Sequence, residues 1–158
     1  MPPLDARFGH VNVTGADWRR LAAFYTEVFG CELVPPERDL RGPALDAGTG
    51  LTDAHLTGAH LRLPGHGPTG PTIEIFTYEQ LDAHPGPKVL RPGWGHLAFQ
   101  VPDVPAAVEA VVAAGGRPMG EVVTTPTADG RRVTWCYTTD PDGNIVELQA
   151  WSEAPKTG

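Results

Sequence analysis

Side chains able to hold a divalent cation recur at matching places along this sequence of 158 residues. Gly9-His10-Val11-Asn12-Val13 and Gly95-His96-Leu97-Ala98-Phe99 each place one histidine in an alternating run. Such a run predicts a half-buried strand whose successive side chains face opposite sides. His10 and Asn12 then share a face opposite Val11 and Val13, and His96, Ala98 and Gln100 oppose Leu97, Phe99 and Val101. Two later runs carry carboxylates in the same way: Glu74 against Ile73 and Ile75, and Glu147 with Gln149 against Val146 and Leu148. Imidazole nitrogen suits zinc, nickel, iron or cobalt, and carboxylate oxygen extends the range to manganese and magnesium. Two of each on the polar face of a curved sheet could form a divalent-metal site. A single histidine on such a face would read as an ordinary solvated residue; recurrence of the set in two repeats favours the metal.

The elements that must position these groups come twice. Asp17 opens a helical pattern that closes at Gly30, and Asp103 opens another that closes at Gly115-Gly116. The glycine, histidine, aspartate and terminal glycine keep one constant offset, which signals a duplication. Trp18, Leu21, Ala22, Tyr25, Val28 and Phe29 recur at three- and four-residue spacing, the stripe of a core-facing helix. Asp17 is placed to cap it, and Gly30 supplies the left-handed stop. The second helix is expected over 103–114, with Pro105 tolerated in its first turn. Strands are expected near 31–34, 59–63 and 72–77, then near 120–124, 133–138 and 145–150. Residues 35–53 have no counterpart in the second half and read as a loop over one end of the sheet. The expected fold class is α+β, with two tandem βαβββ modules forming a curved, cup-like mixed sheet. One domain spans 8–151, built of module 8–80 and module 94–151, between tails at 1–7 and 152–158.

Composition narrows the function. With 41% hydrophobic and 20% charged residues the chain can bury a core. Its net charge of -7 repels phosphate backbones and argues against nucleic acid as a partner. No run is long and apolar enough to span a membrane, and the N-terminus lacks a charged-then-apolar secretion signal. Two cysteines suggest neither a disulfide framework nor a thiolate metal site, which fits a reducing cytoplasm.

The segments GHVNVTGADWRRLAAFYTEVFG, PTIEIFTYE, GHLAFQVPDV and DPDGNIVELQ together resemble the vicinal oxygen chelate superfamily. That superfamily includes glyoxalase I, methylmalonyl-CoA epimerase, extradiol dioxygenases and the bleomycin- and fosfomycin-resistance proteins. The resemblance runs from about Phe8 to Trp151 and implies the glyoxalase-like fold. It maps the metal ligands to His10, Glu74, His96 and Glu147, with two waters or substrate oxygens completing six-coordination around one divalent Zn, Ni, Co, Mn or Fe. It implies a small-molecule substrate chelated through vicinal oxygens, a homodimer, and proton transfer next to a carbonyl. By the pattern of glyoxalase I, Glu147 would take the proton, with Glu74 assisting.

Departures from the relatives' patterns shape the substrate reading. Thr14 and Tyr78 stand where glutathione-dependent glyoxalases carry a basic residue and an asparagine, which argues against glutathione. Methylmalonyl-CoA epimerases carry glutamine at the position of Glu74 and a separate glutamate base, for which only Glu37, Asp39 and Asp46 lie in the matching region. Extradiol dioxygenases keep two histidines and one carboxylate, and a fourth ligand at Glu74 would close an open position. A drug-binding resistance protein without catalysis is the remaining alternative, with Trp94, Trp135, Tyr137 and Trp151 as candidates for an aromatic groove. Of the other histidines, His60 shares a strand face with Arg62 and could reach the groove, while His55, His66 and His84 read as solvated. Cys31 and Cys136 read as small core residues. Arg41, Arg62, Arg91, Arg131 and Arg132 are candidate anchors for an anionic substrate group, and Gly130–Arg132 reads as a hairpin tip.

Overall fold

The computed structural model describes residues 4–153, so the outer parts of both expected tails lie outside the described residues. The chain divides between Asp82 and Ala83 into two compact units. Each is a mixed sheet with helix packed on one face, and the fold class is α+β, with the expected βαβββ order elaborated by one extra helix in the first unit and a divided strand in the second.

In the first unit the sheet order is β1 (His10–Thr14), β4 (Thr72–Tyr78), β3 (His55–Arg62), β2 (Glu32–Arg41). β1 runs parallel to β4, and the other pairs are antiparallel. Helix α1 (Trp18–Phe29) forms where the apolar spacing predicts it. The Asp17 carboxylate accepts from the backbone N–H groups of Arg19 and Arg20, and Gly30 at φ 70° ends the helix. Leu21, Phe24 and Tyr25 are buried, as are Ala59, Leu61, Ile73 and Ile75 on the sheet. Phe24, absent from the predicted stripe, is buried, whereas Val28 and Phe29 are only half-buried. The start of α1 is tied to β4: the Trp18 N–H donates to Thr77 Oγ1 at 2.8 Å, and that hydroxyl donates to the Gly15 carbonyl at 2.8 Å.

Residues 35–53 are not the expected loop. β2 continues to Arg41, and a short helix, α2 (Pro43–Thr49), follows. Pro35 and Pro36 lack the N–H groups a ladder needs, so β2 pairs with β3 in two pieces with a register shift between Val34 and Arg38. Loop-forming residues broke the strand pattern in the sequence without ending the strand. β3 likewise starts earlier than expected, at His55.

The second unit repeats the order: β5 (Leu97–Gln100), β9 (Ile145–Ser152), β8 (Arg132–Thr139), β6 (Arg117–Pro118), with β7 (Val123–Pro126) also paired to β8. β5 is parallel to β9. β6 and β7 together occupy the place of β2, so the strand expected over 120–124 is two short pieces instead of one. Helix α3 (Val104–Ala113) is capped by the Asp103 carboxylate, which accepts from the Ala106 N–H at 2.9 Å. Val104, Val111, Val146 and Leu148 are buried, and Cys136 and Thr138 lie with them on the inner side of β8. No helix among the described residues is long and apolar enough to cross a membrane.

Candidate metal centre

The parallel pairing of first and last strands brings histidine to glutamate in each unit. In the first, Glu74 is flanked in register by Asn12 on β1 and His60 on β3. His10 Nε2 lies 3.6 Å from Glu74 Oε1, and the Asn12 amide donates to the same oxygen at 3.1 Å. The Thr14 hydroxyl donates to Asn12 Oδ1 at 3.1 Å, so the amide's N–H end is the one turned toward Glu74. His60 Nε2 stands 2.8 Å from Glu74 Oε2, and its Nδ1 is 3.2 Å from Thr72 Oγ1. His10 is the open member, with 46% of its side chain exposed against 18% for His60 and 16% for Glu74.

In the second unit His96, one residue before β5, places Nε2 2.8 Å from Glu147 Oε2. The register neighbours of Glu147 are Ala98 and Tyr137, the counterparts of Asn12 and His60. The Tyr137 ring lies 5.0 Å from His96, and Trp135 meets it edge-on at 5.4 Å. Glu147 is aimed by the Asp140-Pro-Asp-Gly-Asn144 turn that precedes β9. The buried Asp140 carboxylate accepts from the backbone N–H groups of Asp142 and Asn144 and from the Asn144 side chain. Gly143, at φ 94°, makes the turn possible.

The four expected ligands thus meet as two pairs, His10 with Glu74 and His96 with Glu147. Imidazole and carboxylate, 3.6 Å apart in the first pair and 2.8 Å in the second, are the donor types that a borderline divalent cation takes. His60 is the participant that sequence pattern underrated. Alternation puts it on a face with Arg62, but only the β3–β4 ladder, continued by the Leu63 N–H bond to the Pro71 carbonyl, sets it opposite Glu74. One ligating atom from each of His10, His60 and Glu74 lies within 4.8 Å of the others.

Most other candidates are occupied in the fold itself. Arg62 donates to the Gly70 carbonyl, Arg91 to the carbonyls of Pro85 and Gly86, and Arg131 to Asp129. Glu37 is held by both terminal nitrogens of Arg19, at 3.0 and 2.8 Å, which keeps its carboxyl below the usual range. Asp46 accepts from the Asp53 and Ala54 N–H groups. Neither carboxylate is presented as a base. His55 is not the solvated loop residue expected: it lies between Asp39, 2.8 Å from Nε2, and Glu79, 3.0 Å from Nδ1, beside Arg41. Gly130, at φ 83°, lies in the hairpin tip between β7 and β8, where Arg131 also covers the Trp151 ring at 4.6 Å. Trp94 is fully exposed. Burial pushes the Cys31 thiol up to about 12 and raises Cys136, to which the charge of Glu147 adds.

The sequence profile of the Glyoxalase/Bleomycin resistance protein/Dioxygenase superfamily matches residues 7–148. The chain belongs to this superfamily. Among solved structures, a glyoxalase family protein from Bacillus cereus superposes with a TM-score of 0.78 at 20% identity, covering 96% of this chain and 97% of that one. A domain of the same superfamily from Frankia sp. gives 0.57 at 21% identity, covering 93% and 98%. A fosfomycin resistance protein from Listeria monocytogenes, crystallised with manganese(II) and sulfate, gives 0.50 at 18% identity and covers 93% of each chain. No curated protein sequence matches the chain. The superfamily includes many metalloenzymes, and in this member His10, His60 and Glu74 form a group that could hold a metal ion.

Proposed function

We propose that this protein is a divalent-metal-dependent, glyoxalase I-like enzyme that moves a proton next to a carbonyl of a small-molecule substrate. The observation that carries the reading is the repeated pairing of a first-strand histidine with a last-strand glutamate, at 3.6 Å in one unit and 2.8 Å in the other. His10, Glu74, His96 and Glu147 would hold one Zn, Ni, Co, Mn or Fe. When bound, such a cation supplies positive charge beside two neighbouring substrate oxygens, which eases loss of the adjacent proton.

The carboxylates divide the remaining work. Glu74 has both oxygens engaged, Oε1 by Asn12 and Oε2 by His60, which suits it to fixed positioning. Glu147 has Oε2 against His96 and offers Oε1 to a substrate proton. Its place beside Tyr137 and Trp135 gives the substrate an aromatic wall. A homodimer and a cytoplasmic location belong to the same reading. Isomerase, lyase and epimerase reactions all share this proton step.

Elemental analysis of protein purified without chelator should find a bound divalent metal that is lost in His10→Ala and His96→Ala. Glu147→Gln should keep the fold and lower proton exchange on a turned-over substrate by about 10²- to 10⁴-fold, the usual worth of a positioned base. Retained exchange would remove Glu147 from this role. A second reading, a drug-binding resistance protein, draws on the contiguous His96, Tyr137 and Trp135 rings. It predicts no metal uptake and a tryptophan fluorescence change with an aromatic drug.

A further inference from the structure

We infer that His60 is a metal ligand, and that it joins His10 and Glu74 as a third donor from the first unit. This deepens the reading above: it rests on it for the metal's presence, but not for any contribution of His96 or Glu147.

The distances carry the first part. Donors about 2.1 Å from one cation stand about 3.0 Å apart at an octahedral edge and about 3.4 Å apart at a tetrahedral one. The separations here, 2.8 Å from His60 Nε2 to Glu74 Oε2 and 3.6 Å from His10 Nε2 to Glu74 Oε1, bracket those edges. The two imidazoles are 5.4 Å apart and nearly perpendicular, at 82°, so they do not stack against each other.

Surrounding groups supply the second part. A ligating histidine commonly has its other ring nitrogen fixed by a partner that sets tautomer and orientation. Thr72 Oγ1, 3.2 Å from His60 Nδ1, is such a partner, because its hydroxyl can accept from Nδ1–H and leave the Nε2 lone pair for a cation. Asn12, itself oriented by Thr14, does the same for Glu74 Oε1. His60 is mostly buried, which lowers the cost of ordering it.

The contrast between the units supplies the third. The register position of His60 is taken in the second unit by Tyr137, and that of Asn12 by Ala98. A surplus nitrogen donor is therefore a property of the first unit alone, and nothing in the shared topology requires it.

The test is zinc(II) titration of the full-length, chelator-treated protein, with the visible absorption of cobalt(II) as a second readout. The variants are His60→Ala, His60→Gln, His96→Ala and Glu147→Gln, each checked for fold by circular dichroism. Glutamine keeps an N–H to offer Glu74, so it would rescue a merely structural role. Losing an outer partner weakens metal affinity about 10- to 100-fold, so losing a direct ligand should cost more than about 100-fold. We expect that loss in both His60 variants, with an altered cobalt spectrum, whatever His96→Ala and Glu147→Gln do. A His60→Gln protein within 100-fold of wild type overturns the proposal. If His96→Ala and Glu147→Gln then lose zinc, the four-ligand reading survives; if no variant loses it, both fail. Loss in the His60 variants with none in the other two upholds the proposal and overturns the four-ligand reading, and weakening in all upholds both.

Discussion

Gly58→Ala tests how tightly the sheet beneath Glu74 is closed. Gly58 lies in β3 opposite Phe76, and a Cβ there would stand under 3.0 Å from the Ile75 carbonyl oxygen and the Phe76 ring. The first obstacle is backbone, which cannot rotate aside, so β3 and β4 must separate locally. Overpacking of this kind costs about 1–3 kcal/mol. Weakening a ladder hydrogen bond adds about 1 kcal/mol, and the reduced freedom of the unfolded alanine chain offsets about 0.4–1 kcal/mol. The net expectation is a loss of about 2 kcal/mol, roughly 30-fold in the folded-to-unfolded ratio. In urea, with a slope near 2 kcal/mol/M, the midpoint should fall by about 1 M with the slope unchanged. Gly48→Ala is the control: it lies in α2, meets nothing within 4 Å, and should be neutral or stabilise by up to about 1 kcal/mol. Because Glu74 precedes Ile75 on the displaced strand, Gly58→Ala should also weaken metal uptake. A Gly58→Ala midpoint equal to wild type would refute the claim of close strand approach.

Two further expectations need no substrate. Cys31 and Cys136 should resist iodoacetamide in the native protein and react after unfolding, since both are almost fully buried. With the Cys31 thiol at about 12, its thiolate fraction at pH 8.5 is about three orders of magnitude below that of a free cysteine; rapid native labelling would contradict this. Asp129 is held at about 2, chiefly by the Thr127 hydroxyl and then by Arg131. Its folded value lies below the unfolded one of about 3.9, so its contribution to stability is present above pH 4 and lost as pH falls toward 2. An NMR titration should place its carboxyl midpoint near 2, and a midpoint near 4 would discard the hairpin-tip network.

Much of the fold was legible because the duplication carries its own punctuation. Asp17 and Asp103 cap helices at matching places, and Gly30 stops the first in the left-handed region. Alternation on β4 and β9 placed Glu74 and Glu147 on the face opposite Ile73, Ile75, Val146 and Leu148, which are buried. Alternation fails where backbone pairing is decided by distant partners. Pro35 and Pro36 read as a loop because proline is a strand breaker, yet β3 offers enough pairing on either side to carry β2 to Arg41. His55 read as solvated for the same reason, since Asp39 reaches it only through that continuation. His60 needed the register across a glycine-rich turn, which periodicity within one strand does not specify.

The parallel β1–β4 pairing also governs when the centre can form. Asn12 and Glu74 are 62 positions apart, and no local turn brings their strands together. The antiparallel contacts of β3 with β4 close a much shorter loop and are reached at lower entropic cost. Folding should therefore deliver His60 to Glu74 early and His10 last, so that an imidazole–carboxylate pair precedes the finished centre. A one-residue slip of β1 would turn His10 and Asn12 toward the helix and Val11 and Val13 toward Glu74. A cation that needs His10 would thus bind only the chain in native register, and its presence during refolding would select that register over its neighbours.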